Sequence, residues 1–193
     1  MTAVQEQIKK GAVKRLKGKV AVVTGGSRGI GAAIALKLAA EGASVALSYA
    51  SNKDAADKVV AEITTLGSKA VAVKANVTSA SESAAVVAKA VKVFGDVKID
   101  ILVNNAGVFE MGSIDAIDVE QFDRLFDVNV KGAIATTVAA LPHMSDGGRI
   151  INISSGVADA TMPGASLYSA TKSALDTLSR IWAQDLGKRQ ITV

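Results

Sequence analysis

Val20-Ala-Val-Val-Thr-Gly-Gly-Ser-Arg-Gly-Ile-Gly31 runs from a short β-branched stretch into glycines and then into a helical pattern. Val20–Thr24 reads as a strand, and Ile30, Ile34 and Leu38 recur every four residues, the helical period. Gly25, Gly29 and Gly31 sit between them with the spacing G-x-x-x-G-x-G. Glycines in such a turn let backbone amides approach a pyrophosphate and let the helix pack close to the strand. The helix N-terminus adds free N–H groups and partial positive charge. A tight turn without a ligand would use the same residues, but the strand–turn–helix setting favours the phosphate reading. Ser27, Arg28 and Ile30 belong to the same loop and join the glycines as candidate cofactor residues.

The pattern repeats outward from this turn. Ser44–Ser48, Ala70–Lys74, Ile99–Val103 and Arg149–Ile153 read as further strands. Asp54–Leu66 reads as a helix with Val59, Ile63 and Leu66 on one face and Gly67 as its stop. Ser79-Ala-Ser-Glu82 fits a capping box and opens a helix that runs to Phe94 and ends at Gly95. A long helix is predicted from Asp118 through Phe122, Leu125 and Phe126, ended by Pro142. The last helix spans Ser166 to Lys188, with Leu175, Leu178 and Trp182 inward, and Ile191–Val193 begins a sixth strand. Strands that alternate with helices and read as unbroken apolar runs imply a parallel sheet covered on both faces. The expected fold is α/β, a Rossmann-type doubly wound sheet in a single domain over residues 18–193, preceded by a basic leader over 1–17.

Composition narrows the chemistry. Hydrophobic residues make up 49% and charged residues 21% of the 193 positions, which excludes a largely disordered chain. With no cysteine and one histidine, His143, there are no disulfides, no thiol catalysis and no expected metal site. His143 follows Pro142 and reads as a surface residue at a helix end. The net charge of +4 is concentrated early, in Lys9, Lys10, Lys14, Arg15, Lys17 and Lys19. A solvated leader explains this charge, with an anion-binding arm as the alternative. No apolar signal core occupies the first residues, and no uncharged run reaches membrane-spanning length. The expectation is a soluble, cytoplasmic protein with neither membrane nor nucleic acid as partner.

Two further patterns point to redox chemistry. The end of the second strand, where an acid would read a ribose 2′-hydroxyl, is Ser48-Tyr-Ala-Ser-Asn52 and holds no acid. Arg28 with the donors of Ser51 and Asn52 suits a 2′-phosphate instead, so NADP(H) is expected over NAD(H). Tyr168 and Lys172 lie one helical turn apart. A free tyrosine titrates near pH 10, and lowering that by about 3 units takes about 4 kcal/mol. A nearby lysine and a cationic nicotinamide could supply this and turn Tyr168 into a general acid/base for an alcohol or carbonyl. Taken alone, the pair also fits ordinary helix surface.

In combination, these motifs resemble the short-chain dehydrogenase/reductase family. The family's glycine loop matches Thr24–Gly31 and its NNAG matches Asn104–Gly107. Its helix asparagine matches Asn129, its serine matches Ser155, thirteen residues before Tyr168, and its YxxxK matches Tyr168 and Lys172. Within the family the chain resembles the 3-oxoacyl-carrier-protein reductase and polyketide naphthol reductase members. The resemblance implies that Tyr168 moves the substrate proton and that Ser155 hydrogen-bonds the substrate oxygen. Lys172 would hold the nicotinamide ribose, and Asn129 would anchor a proton-relay water. Asn105, Ala106 and Gly107 would line the cofactor, as would Tyr49, Ala50, Asn76 and Val77. Asn76 stands where the family usually has Asp, and its amide oxygen can still accept from the adenine amine.

The implied function is a ketoreductase-type oxidoreductase acting on a small carbonyl or secondary alcohol. The family continues past the point matching Val193, with the rest of strand six, a substrate loop, a helix and a seventh strand. On this comparison the C-terminal strands and substrate loop are missing. A truncated, catalytically inactive dinucleotide-binding scaffold is therefore the alternative. The resemblance also implies a homodimer or homotetramer through the helices near 118–141 and 166–188. Phe109 and Met111, just after NNAG, are candidates to border a substrate pocket, and Trp182 reads as packing.

Overall fold

Val20, Ala21, Val22 and Val23 are all buried, as a strand covered on both faces requires. They form β1 (Val20–Val23), the centre of a parallel sheet in a computed structural model that describes residues 14–193. β2 (Ser44–Tyr49), β3 (Ala70–Lys74), β4 (Ile99–Asn104) and β5 (Met144–Asn152) complete the order β3-β2-β1-β4-β5. Beyond β5, Thr192 makes a parallel bridge to Arg149, and Ile150 N–H donates to Thr192 O at 2.9 Å. The Ile191–Val193 segment thus lies where a sixth strand begins. The chain builds outward from β1 to β3 and then returns to place β4 on the other side of β1. That reversal opens a crevice at the C-terminal ends of β1 and β4.

Helices cover both faces. α1 (Gly29–Ala40) and α2 (Lys53–Thr65) pack over a core that includes Val23, Leu47, Ile63 and Val103. α3 (Ala80–Phe94) and α5 (Gly132–Ala140) cover the opposite core, which includes Val22, Phe94, Leu102 and Met144. α4 (Val119–Phe126) and α6 (Ser166–Asp185) pack against each other beside the crevice.

Several elements differ from the sequence reading. α1 buries Gly31, Ala35 and Ala39, while Ile30 is 63% exposed. The small residues take the sheet side because the helix axis lies close to the strands. Leu66 falls just past the last turn of α2 and is exposed. Only half of the capping box forms: Ser79 Oγ accepts from Glu82 N–H at 3.3 Å, but Glu82 Oε2 accepts from Asn76 N–H at 2.8 Å. The long helix from Asp118 is interrupted by a π-turn over Asp127–Lys131, and Pro142 sits in a 3₁₀ turn, Leu141–His143. β5 begins earlier than expected, at Met144. α6 ends at Asp185 and buries Leu175, whereas Leu178 and Trp182 are half-buried.

The first thirteen residues of the predicted leader, with Lys9 and Lys10, lie outside the described residues. Residues 14–17 are tied to the sheet-bearing body. Leu16 N–H donates to Glu41 O at 2.8 Å, and Arg15 pairs with the Glu41 carboxylate at 3.1 Å. Hydrogen bonds from Arg15 and Lys37 hold the Glu41 carboxyl down at about 2.

Candidate active site

The crevice is built first by backbone. Gly25 and Gly29 adopt φ of +63° and +54°, where side chains are disfavoured. A Cβ on Gly31 would stand 2.3 Å from Gly25 O and 2.4 Å from Asn105 Nδ2. Only glycine lets α1 start this close to the turn. Asn105 Nδ2 donates to Thr24 O at 2.9 Å and Gly25 O at 3.1 Å. The buried Thr24 hydroxyl accepts from Asn105 N–H and Ala106 N–H, each at 3.0 Å. The loop after β4 is thereby stapled to the glycine turn.

One cavity of about 480 Å³ follows. The glycine turn borders it with Gly25, Ser27, Arg28, Gly29, Ile30 and Gly31. The end of β2 contributes Tyr49, Ala50, Ser51 and Asn52, and the end of β3 contributes Asn76 and Val77. Asn105, Ala106 and Gly107 line it after β4, and Tyr168 and Lys172 close it from α6. Every residue assigned from sequence to a cofactor meets in this space. Asn52 also caps α2, its Oδ1 accepting from Ala55 N–H at 2.9 Å, which leaves its amide N–H groups as donors. Asn76 Oδ1 accepts from Thr78 N–H at 3.1 Å.

The chemical end is built by side chains. Lys172 is 4% exposed, and its Nζ donates to Ile153 O at 2.7 Å. The same Nζ lies 5.6 Å from the centre of the Tyr168 ring. Burial pushes the Lys172 pKa below its ordinary value, and Asp176 partly opposes this. Phe109 meets the Tyr168 ring edge-on, with centroids 4.8 Å apart, and is 52% exposed.

Asn129 is buried behind the cavity in the π-turn. π-turns recur at functional sites because they re-aim a side chain. Its Oδ1 accepts from Val108 N–H at 2.8 Å, and its Nδ2 donates to Val108 O at 2.9 Å and Thr171 Oγ1 at 3.0 Å. Ser154 borders the cavity itself. Ser155 stands next to it at the head of a 3₁₀ turn, Gly156–Ala158, and its Oγ accepts from Val157 N–H at 3.4 Å. Ser48, Ala75, Val108, Val128 and Ile153 also border the cavity and were missed from sequence. Ala75, Val108, Val128 and Ile153 contribute shape and backbone, which carry no chemical signal in the sequence, whereas the Ser48 hydroxyl accepts from Gly25 N–H at 3.3 Å. The hydroxyl ending β1, Thr24, was open to detection as a buried polar group among valines.

A family model described as short chain dehydrogenase matches residues 19–193. The chain belongs to the short-chain dehydrogenase family. An uncharacterised oxidoreductase of Methylorubrum extorquens is 50% identical over 181 residues, covering 94% of this chain and 72% of that protein. A short-chain dehydrogenase from Burkholderia cenocepacia, solved in complex with NADP, superposes with TM-score 0.89 at 45% identity. A blue fluorescent protein from a metagenomic library, solved in complex with NADPH, superposes with TM-score 0.88 at 43% identity. Each of these two structures matches 93% of this chain, and the match spans 73% of its own. The five-stranded parallel sheet is the family's Rossmann-type fold. Among the described residues no helix is long and apolar enough to cross a membrane, and no group of acidic or histidine side chains could hold a metal ion.

Proposed function

We propose that the protein is an NADP(H)-dependent oxidoreductase that interconverts a ketone and a secondary alcohol, with Tyr168 as general acid/base. The observation that carries this reading is that Tyr168 and Lys172 face into the same cavity as the glycine turn. The cradle fits a dinucleotide: the cavity of about 480 Å³ runs from the glycine turn and Arg28 past the ends of β2 and β3 to Tyr168 and Lys172. The bound nicotinamide supplies hydride exchange with the carbonyl carbon.

The chain's own residues do the rest. The glycine turn and the α1 N-terminus bind the pyrophosphate. Arg28, Ser51 and the free N–H groups of Asn52 favour a 2′-phosphate, and no carboxylate stands in Ser48–Asn52 to repel it. NADP in the Burkholderia relative and NADPH in the metagenomic one support the same preference. Asn76, Val77, Asn105, Ala106 and Gly107 line the remaining length. Tyr168 donates the proton that the substrate oxygen gains on reduction. The Lys172 ammonium stabilises the negative charge left on the phenol oxygen. Ser155 hydrogen-bonds the substrate oxygen, and Asn129 supports a relay water through a carbonyl oxygen, since both its amide N–H groups are engaged. Exposed Phe109 and Met111 offer an apolar wall for the substrate. Exposed Phe122, Val138 and Ile181 on α4, α5 and α6 suit a homodimer or homotetramer.

The test is NADPH oxidation across a panel of ketones by wild type and Tyr168→Phe. Turnover lost in the variant by about 10²–10⁴-fold supports the role, as expected for removal of a general acid. Unchanged turnover removes Tyr168 from it.

A further inference from the structure

We propose that Thr171 is a positioning residue whose hydroxyl sets the orientation of the Asn129 amide and, through it, the place of the Val108 loop beside Tyr168. This rests on the reading of Tyr168 as the acid/base. Thr171 is fully buried, between Tyr168 and Lys172 on the inner side of α6. Its Oγ1 donates to the Tyr168 main-chain oxygen at 2.7 Å. A hydroxyl carries one hydrogen, so toward Asn129 it can only accept. Asn129 Nδ2 provides that donor at 3.0 Å. The hydroxyl therefore holds from the α6 side the same amide orientation that the Val108 main chain requires.

The consequence reaches the cavity. With Nδ2 toward Thr171, its second hydrogen goes to Val108 O at 2.9 Å, and Oδ1 receives Val108 N–H at 2.8 Å. One side chain thus grips both main-chain groups of Val108. Phe109 follows directly and packs edge-on against Tyr168 at 4.8 Å. The fit is tight at Gly107, where a Cβ would lie 3.2 Å from Asn129 Oδ1 and 3.6 Å from Lys172 Nζ. A methyl in place of the Thr171 hydroxyl keeps the volume but strands a buried Asn129 N–H. An unpaired buried donor is costly, and the amide relieves it only by moving off Val108, because a flip in place would set Nδ2 against Val108 N–H and Oδ1 against Val108 O. Val108 N–H then loses its acceptor, and the wall beside Tyr168 loses its fixed place. The glycine turn, across the cavity, is untouched.

The experiment compares Thr171→Val, Thr171→Ser and Tyr168→Phe in two readouts. The first is amide exchange over residues 105–112 without cofactor. The second is kcat and KM with NADPH and a ketone that the wild type turns over. Thr171→Val is expected to lose protection at Val108 and to drop kcat by roughly 10- to 100-fold, since misplacement of about 1 Å costs on that order. Its KM for NADPH should stay within about twofold, a split that general destabilisation would not produce. Thr171→Ser keeps the hydroxyl and should retain both protection and kcat. If Thr171→Val does not fold, Thr171→Cys takes its place, with similar volume and a weak acceptor. Unchanged Val108 exchange in the valine or cysteine variant overturns the proposal, as does a serine variant as slow as valine. Where no ketone is turned over, the exchange comparison decides. A Tyr168→Phe protein that keeps turnover sinks the acid/base reading instead, and Val108 exchange still tests the clamp.

Discussion

The two ends of the cavity are made from different materials. The glycine-turn end takes its shape from backbone, with positive φ at Gly25 and Gly29 and a missing Cβ at Gly31, and only its fastening to the loop after β4 uses the side chains of Thr24 and Asn105. The Tyr168 end is held by long-range side-chain bonds from Asn129, Thr171 and Lys172 to partners on other elements. A backbone cradle is fixed by sterics and tolerates almost no added atom. A side-chain frame tolerates substitution in its fold but not in its alignment. Binding and proton transfer should therefore fail separately.

The largest effect is expected at the backbone end. Gly31→Ala forces a Cβ against Gly25 O and Asn105 Nδ2. Overpacking of this kind costs about 1–3 kcal/mol, which would weaken NADPH binding by up to roughly a hundredfold. Fluorescence titration of the cofactor checks it, and near-native affinity would break the contrast. Thr24→Val strands the half-buried amides of Asn105 and Ala106. It should cost about 1–3 kcal/mol of stability in denaturant unfolding. Arg28→Ala should weaken NADPH by about tenfold while leaving NADH nearly unchanged, as loss of one charge-assisted contact of about 1.5 kcal/mol would do. Equal loss for both cofactors would remove Arg28 from the 2′-phosphate role.

The smallest effect lies away from the cavity, at Glu41. Its carboxyl is held at about 2, below its ordinary 4.5, by Arg15 and Lys37. Its stabilising contribution is present above the ordinary value and is lost as pH falls from 4.5 through about 2. The Tm of Glu41→Gln should therefore be less acid-sensitive than that of wild type across that window.

The same contrast explains what was legible in the sequence. The backbone end announces itself locally, since Val20–Gly31 carries strand, turn and helix in one stretch. The parallel sheet followed from apolar runs that alternate with helical periods. The side-chain end is non-local. The π-turn at Asp127–Lys131 leaves no break in the apolar pattern, because Leu125, Phe126, Val128 and Val130 run straight through it. The resemblance supplied Asn129, but not its three hydrogen bonds or the service of Thr171. On α1 Ile34 and Leu38 pack partly buried against the core as the period implies, but close approach to the sheet selects Gly31, Ala35 and Ala39 for full burial and leaves Ile30 exposed.

The most direct measurement is the Kd for NADPH of Tyr168→Phe, taken by cofactor fluorescence beside its kcat. Two separately built ends predict a Kd within about threefold of wild type, less than 1 kcal/mol, together with loss of turnover. Loss of NADPH binding in step with turnover would show that the cavity works as one unit and would contradict that division.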